Sequence, residues 1–101
     1  MIIYNVTVKI ESALAGAWVN WMKTEHIPDL MKTGLFLDYR LCRLLEQDET
    51  EGITYSVQYF CKSLEQYDTY ISEYAPAMRD KGFQKFGNRF IAFRTVMQVE
   101  S

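Results

Sequence analysis

The sequence predicts an α+β domain in which two helices cover one face of a four-stranded antiparallel sheet. Four stretches alternate apolar and polar residues, as strands do, and two stretches repeat apolar residues every three or four positions, as helices do. Their order along the chain is strand, helix, strand, strand, helix, strand. With right-handed crossovers after the first and third strands, this order gives the βαββαβ ferredoxin-like plait, as a single domain over residues 1–101.

The first strand and the first helix carry the clearest patterns. Residues 2–10 alternate a fully apolar set with a mixed set, so one face of this strand is expected to be buried. Large apolar residues then share one helix face at positions Leu14, Trp18, Trp21 and Met22. Because Pro28 biases the residue before it away from helical geometry, the helix is expected to end near Glu25 or His26. Gly34 is expected to close the turn that follows.

The rest of the chain contains a hairpin, a second helix and a final strand. The strands of the hairpin are predicted over residues 35–46 and 53–61, joined by the charged turn QDETEG. Ser63 is expected to cap the second helix, and Pro76 is expected to kink or restart it. The last strand, with a weaker alternation, is predicted over residues 89–99.

Composition and charge exclude several classes of protein. With 49% hydrophobic and 15% aromatic residues the chain can bury a core, which excludes disorder. The net charge of −2 provides no positive field for phosphates and argues against a nucleic-acid partner. No apolar run approaches the roughly 18 residues of a membrane span, and the N-terminus has no signal-peptide pattern. We therefore expect a cytoplasmic protein without a membrane partner.

The two cysteines and the single histidine do not suggest a disulfide or a metal site. Cys42 and Cys61 fall on opposite faces of the predicted sheet, so their side chains are badly aimed for a bridge. Two free thiols are typical of a reducing compartment. One histidine and two isolated cysteines do not form a zinc-ligand pattern, and no metal or cofactor is predicted.

The sheet face opposite to the helices is predicted to need a partner. It mixes apolar anchors with hydrogen-bonding groups, a combination typical of protein interfaces. The residues assigned to this face are Ile3, Asn5, Thr7, Phe36, Asp38, Arg40, Leu44, Thr54, Ser56, Gln58 and Phe60. The simplest partner is a second copy of the chain, so we expect a homodimer through the sheet face.

Three blocks carry a family resemblance that extends over the whole chain. They are the start MIIYNVTV, the segment 18–36 with WxxW, EHIPDLM and TGLF, and the closing KFGNRFIAFRTV. With them the chain resembles a domain-of-unknown-function family of short bacterial proteins and is similar to the dimeric α+β barrel superfamily. That resemblance implies two ferredoxin-like protomers that join their sheets into a shared barrel. The superfamily includes cofactor-free monooxygenases, haem-degrading enzymes, muconolactone isomerases and stress-response proteins, but no catalytic motif maps residue by residue onto this chain.

The resemblance also implies a pocket between the first helix and the sheet. Its walls in this chain would be Trp18, Trp21, Met22, Tyr39, Tyr55 and Tyr59. On a regular helix Glu25 shares the bearing of the tryptophans, so its carboxylate is expected to point into the pocket, with His26 at the edge. A carboxylate with a raised pKa beside an imidazole that titrates near neutrality would suit proton transfer. Alternatively, His26 caps the helix C-terminus and the tryptophans are ordinary core residues.

Three functions therefore stay open. The first is the binding of a small apolar or aromatic molecule in the pocket. The second is an enzyme of the cofactor-free monooxygenase or isomerase type, with His26 as proton shuttle. The third is a structural or interaction protein whose pocket is filled by its own side chains. RNA binding, which the shared element order suggests, is disfavoured because Glu51 and Gln58 stand where that motif has a basic and an aromatic residue.

Overall fold

Four antiparallel strands form one sheet, and the helices pack on one of its faces, in the computed structural model, which describes residues 1–101. The strands are β1 (Ile2–Ile10), β2 (Asp38–Arg43), β3 (Ile53–Cys61) and β4 (Phe90–Gln98). The helices are α1 (Ala15–Trp21), α2 (Ile27–Lys32), α3 (Leu64–Glu73) and α4 (Ala75–Phe86). The spatial order of the strands is β2-β3-β1-β4, with β1 paired to both β3 and β4. The predicted α+β, ferredoxin-like fold is confirmed.

The first helical segment does not end before Pro28, contrary to the sequence-based expectation. A short 3₁₀ turn (Ser12–Leu14) precedes α1, and a π turn (Met22–His26) joins α1 directly to α2. In this turn the backbone N–H of Ile27 donates to the carbonyl of Met22, five residues earlier. Pro28, which has no N–H to donate, follows as one of the first residues of α2. The wider turn thus lets the helix continue through the proline to Lys32, and Gly34 then closes it with a positive φ of 76°.

The π turn also changes which side chains face the sheet. An α-helix turns by about 100° per residue, so Leu30 would lie about 120° away from Trp18 in a regular helix. The π turn holds about one extra residue, which reduces the angle between Trp18 and Leu30 by roughly 100°. Trp18 and Leu30 are accordingly both buried, with exposed fractions of 3% and 1%. The segment 12–32 therefore presents one continuous apolar face to the sheet.

The second helical segment, made of α3 and α4, begins, restarts and ends where its sequence signals predict. Ser63 caps α3, since its hydroxyl accepts a hydrogen bond from the backbone N–H of Gln66. α3 ends at Glu73, and α4 restarts at Ala75 with Pro76 in its first turn. Gly87 ends α4 with a positive φ of 62°. The predicted cap and the predicted restart are both confirmed.

Strand β2 is shorter than predicted, and this corrects the assignment of Phe36 to the open sheet face. The strand begins only at Asp38, so Phe36 belongs to the loop that precedes it. Its ring turns into the core, packs against the rings of Tyr59 and Tyr70, and is 5% exposed. Cys42 and Cys61 are unpaired and lie on opposite faces of the sheet, as predicted. None of the helices is both long and apolar enough to cross a bilayer.

Candidate functional site

A partly open cavity of about 60 Å³ lies between the first helical segment, α4 and the sheet. Most of its walls are apolar, with Trp18, Trp21 and Met22 from the helical segment and Val8 and Val57 from the central strands. The polar exceptions include His26, Tyr59 and two arginines. The cavity is therefore an apolar space with a small number of fixed polar groups, the composition typical of small-molecule sites.

The structure brings five of the eight predicted site residues to this cavity. Trp18, Trp21, Met22, Tyr59 and His26 line it. The other three do not. Tyr55 is buried beneath Trp18, with 5.0 Å between their ring centroids. Tyr39 lies on the edge strand β2 and is 42% exposed, because the helical layer does not cover that edge. Glu25 points to solvent.

The positions of Glu25 and His26 are exchanged relative to the expectation, and the π turn is the cause. The extra residue in this turn delays the rotation of the helix by about one position. His26 then takes the inward bearing that Glu25 would have in a regular α-helix, and Glu25 moves to the solvent side. Because the helix continues to Lys32, His26 is also not the C-terminal cap considered as an alternative.

The environment of His26 favours a neutral imidazole. Its ring stacks on Trp21, with centroids 4.8 Å apart and planes 25° from parallel. Burial lowers the pKa of His26 from 6.5 to about 4; Asp29 opposes this shift, while Lys81 and Arg94 add to it. This lowered pKa departs from the expected titration near neutrality, because burial favours the uncharged ring. At pH 7 the ring is an uncharged hydrogen-bonding group, and its Nδ1 atom is buried without a partner in the chain.

Tyr59 provides a second unpartnered polar atom at the same cavity. Its hydroxyl is buried and has no hydrogen-bond partner within the chain. Burial raises the pKa of this phenol well above 10, and the neighbouring Tyr70 and Tyr4 act in the same direction. The hydroxyl is thus a neutral donor and acceptor. Buried polar groups are rarely left unpaired, so a water or a ligand atom in the cavity would supply what the protein does not.

Sequence reasoning missed the arginines of the cavity. Arg79 comes from α4 and Arg94 from β4, and both remain exposed while lining the cavity. Arg94 pairs in register with the inward-facing Val6 of β1, so it lies on the helix-covered side of the sheet. The sequence signal for Arg94 was its even-numbered position in β4, which it shares with the inward-facing Ala92. The weak alternation of apolar and polar residues in that strand made this signal hard to recognise. Arg79 had no comparable signal, because α4 is polar over much of its surface.

The site contains no arrangement typical of nucleophilic or metal chemistry. No cysteine lines the cavity, and burial raises the pKa of the Cys61 thiol, which donates a hydrogen bond to the carbonyl of Ser63. No three His, Cys, Asp or Glu side chains are grouped so that they could hold a metal ion. The geometry supports binding of a molecule through apolar contact and a few hydrogen bonds.

The family described as domain of unknown function (DUF4286) matches residues 1–100 of the chain. No curated protein shows significant sequence similarity. Among solved structures, the chain is similar to a dimeric ferredoxin-like protein from an uncultured marine organism, with a TM-score of 0.77, 10% identity, and coverage of 99% of this chain and 95% of that one.

Two further solved structures share the fold but differ in their named activities. One is a presumed antibiotic biosynthesis monooxygenase from Deinococcus radiodurans, with a TM-score of 0.72, 14% identity, and coverage of 100% and 94% of the two chains. The other is a hydroxynitrile lyase from Passiflora edulis, with a TM-score of 0.62, 13% identity, and coverage of 99% and 95%. At these identities the similarity establishes the fold and leaves function to the site itself.

Proposed function

This chain belongs to the DUF4286 family, a domain of unknown function, and we propose that it binds a small, largely apolar molecule in the cavity beneath its first helical segment. The observation that supports this most directly is the pair of unpartnered buried atoms, His26 Nδ1 and the Tyr59 hydroxyl, on residues that line one cavity. Unpaired polar atoms destabilise a closed core, whereas in a binding site they form hydrogen bonds that orient a ligand.

The size of the cavity limits what it encloses. Its volume of about 60 Å³ is far below the roughly 300 Å³ at which ordinary ligand pockets begin. On this measure one water needs about 10–15 Å³, so the cavity corresponds to only a few non-hydrogen atoms. The ligand is therefore a very small molecule, or a larger one of which a short group or one ring edge enters.

A variant that fills the cavity tests the proposal. Ala92 on β4 lines the cavity, and Ala92→Val adds two carbon atoms there without removing a polar group. We expect uncharged fragments such as phenol and isobutyramide to shift the NMR signals of the Trp18 and Trp21 indole N–H groups in the native protein. These shifts should be lost in Ala92→Val and kept in Ala77→Val, which adds the same carbons on the exposed side of α4.

The readout separates binding from a change in stability. Both variants should unfold cooperatively near the native melting temperature, since valine suits a strand and Ala77 is exposed. If neither fragment nor any larger aromatic compound moves the indole signals of the native protein, the proposed function is wrong. Equal shifts in native protein and Ala92→Val would place the binding elsewhere.

We infer in addition that the chain forms a homodimer through the open face of the sheet. On β4 this face carries exposed Ile91, Phe93 and Met97, with Phe93 68% exposed. A polar network lies beside them, in which Asn5 accepts a hydrogen bond from Ser56 and donates one to Thr95. Apolar anchors around a hydrogen-bonded centre are suited to a two-fold interface, and one protein of similar structure is described as dimeric.

Placing a charge on this face is expected to give a monomer. For Phe93→Glu, sedimentation equilibrium should yield the 11.9 kDa mass of one chain, and for the native protein about twice that mass. Phe83→Glu is the matched control, because Phe83 is 59% exposed but lies on α4 in the helical layer. A monomeric native protein, or equal loss of dimer in both variants, would contradict this interface.

We also infer a cytoplasmic location. Cys42 is exposed and Cys61 is buried, and both thiols are free. Free thiols persist in reducing compartments and tend to be oxidised outside them. Fractionation of cells that produce the protein would test this location.

A further inference from the structure

The two charged side chains that line the cavity are both positive, and the carboxylate that acts on His26, Asp29, is paired with Lys81. Arg79 and Arg94 line the cavity, and no aspartate or glutamate does. His26, the remaining ionisable nitrogen base of the lining, is neutral at pH 7 because its pKa is about 4. The chain as a whole carries a net charge of −2, so this concentration of positive charge is a local property.

Neither arginine is neutralised by the protein. The four ion pairs of the structure use other cations: Arg40 with Asp38, Arg43 with Glu49, Lys81 with Asp29, and Arg89 with Glu11. Arg79 and Arg94 make no ion pair and no side-chain hydrogen bond. Yet they come from α4 and β4, two elements on different sides of the cavity, and both are exposed. They therefore mark the solvent-facing mouth, while Tyr59 and Leu30 lie in the buried interior.

We propose that the ligand of this cavity is an organic carboxylate, whose carboxylate pairs with Arg79 and Arg94 at the mouth and whose uncharged part enters the apolar interior. This proposal rests on the proposed binding function and adds the chemical class of the ligand. A guanidinium presents a planar set of donors that matches a carboxylate, and two of them without counter-charges favour an anion over a neutral molecule of the same shape.

The polar atoms inside the cavity narrow the chemical class of the carboxylate further. The enclosed volume admits only a short group, and the Tyr59 hydroxyl and His26 Nδ1 need hydrogen-bonding partners. A carboxylate with an oxygen function a few atoms away, such as a hydroxy or oxo acid, would satisfy the arginines and one of these atoms together. The positive field reaches the interior, since Arg79 and Arg94 both act to lower the pKa of Tyr70, against the dominant effect of its burial.

Acids and their amides provide the test, because each pair has nearly the same shape and differs in charge. The compounds are benzoate against benzamide and isobutyrate against isobutyramide, followed through the indole N–H signals of Trp18 and Trp21. We expect each acid to bind at least about tenfold more tightly than its amide. Raising the ionic strength from about 0.1 M to about 1 M should weaken the acids and leave the amides nearly unchanged.

Variants then assign the preference to the two arginines. Arg79→Gln with Arg94→Gln should remove the preference for acids while amide binding persists. Arg89→Gln removes a positive charge that does not line the cavity and should keep the preference. Both arginines are exposed, so these variants are expected to fold, and circular dichroism verifies it.

The possible failures are distinguishable. Equal binding of acid and amide by the native protein would overturn the carboxylate proposal and leave the binding function standing. A preference for acids that survives in the double variant would also overturn it. If no acid and no amide binds, the proposed function is wrong, and the carboxylate proposal falls with it.

Discussion

Replacing Trp18 with alanine is expected to lower the free energy of unfolding by about 3 to 5 kcal/mol. The side chain is 3% exposed, packs on the ring of Tyr55 and belongs to the hydrophobic core cluster of the chain. Alanine would leave a void that the surrounding rings of the helical layer and the sheet cannot close. Urea unfolding of both proteins at the same concentration measures the difference, since a dimer makes stability depend on concentration.

Asn20→Ala is the matched control for this substitution. Asn20 lies in the same helix, but its side chain is exposed, so removing it should change stability by no more than about 0.5 kcal/mol. Because Trp18 also lines the cavity, the same experiment tests how much of its indole is packed and how much borders open space. A loss below about 1 kcal/mol for Trp18→Ala would mean that the indole borders open space and contributes little packing.

Acidification is expected to destabilise the protein through His26. The folded-state pKa of about 4 lies below the ordinary value of 6.5, so between these values the unfolded chain binds a proton that the folded protein does not. The stability associated with the neutral imidazole is fully present above pH 6.5. It is lost as the pH falls from 6.5 towards 4, with a total of about 3 kcal/mol.

This loss can be assigned because His26 is the only histidine of the chain. The free energy of unfolding should fall by at most about 1.4 kcal/mol per pH unit in this range, and the slope should be nearly absent in His26→Phe. Asp38 and Asp48 have lowered pKa values, through hydrogen bonds with Tyr39 and Thr50, so their contribution is lost only at still lower pH. An imidazole whose NMR signals titrate near pH 6.5 would contradict the burial described for His26.

Most of the fold could be predicted from local patterns. The alternation in residues 2–10, the serine at position 63 and the proline at position 76 each determine a feature through interactions close in sequence. The end of β2 and the place of Phe36 could not be predicted in this way. The alternation of residues 35–46 fits a longer strand, and the aromatic environment that draws Phe36 inward is contributed by Tyr59 and Tyr70, far along the chain.

The candidate site was predicted in its apolar part and missed in its polar part. Trp18, Trp21 and Met22 were found because a helix face can be read from spacing. The exchange of Glu25 and His26 depends on one additional residue in a turn, which spacing rules for a regular helix do not contain. Arg79 and Arg94 line one cavity only because the folded chain brings α4 and β4 to it, and no short-range sequence pattern predicts that.

The π turn at Met22–His26 also makes the number of residues in this segment matter as much as their identity. Deleting one residue inside the turn, other than His26, would leave a regular α-helix in which Leu30 follows Trp18 by eleven positions, at about 20° from its bearing. Leu30 and His26 would then still face the sheet, whereas an added residue would rotate both by about 100° away from it. We therefore expect homologous sequences to show either no gap or a one-residue deletion at this turn, and no insertion between positions 18 and 30.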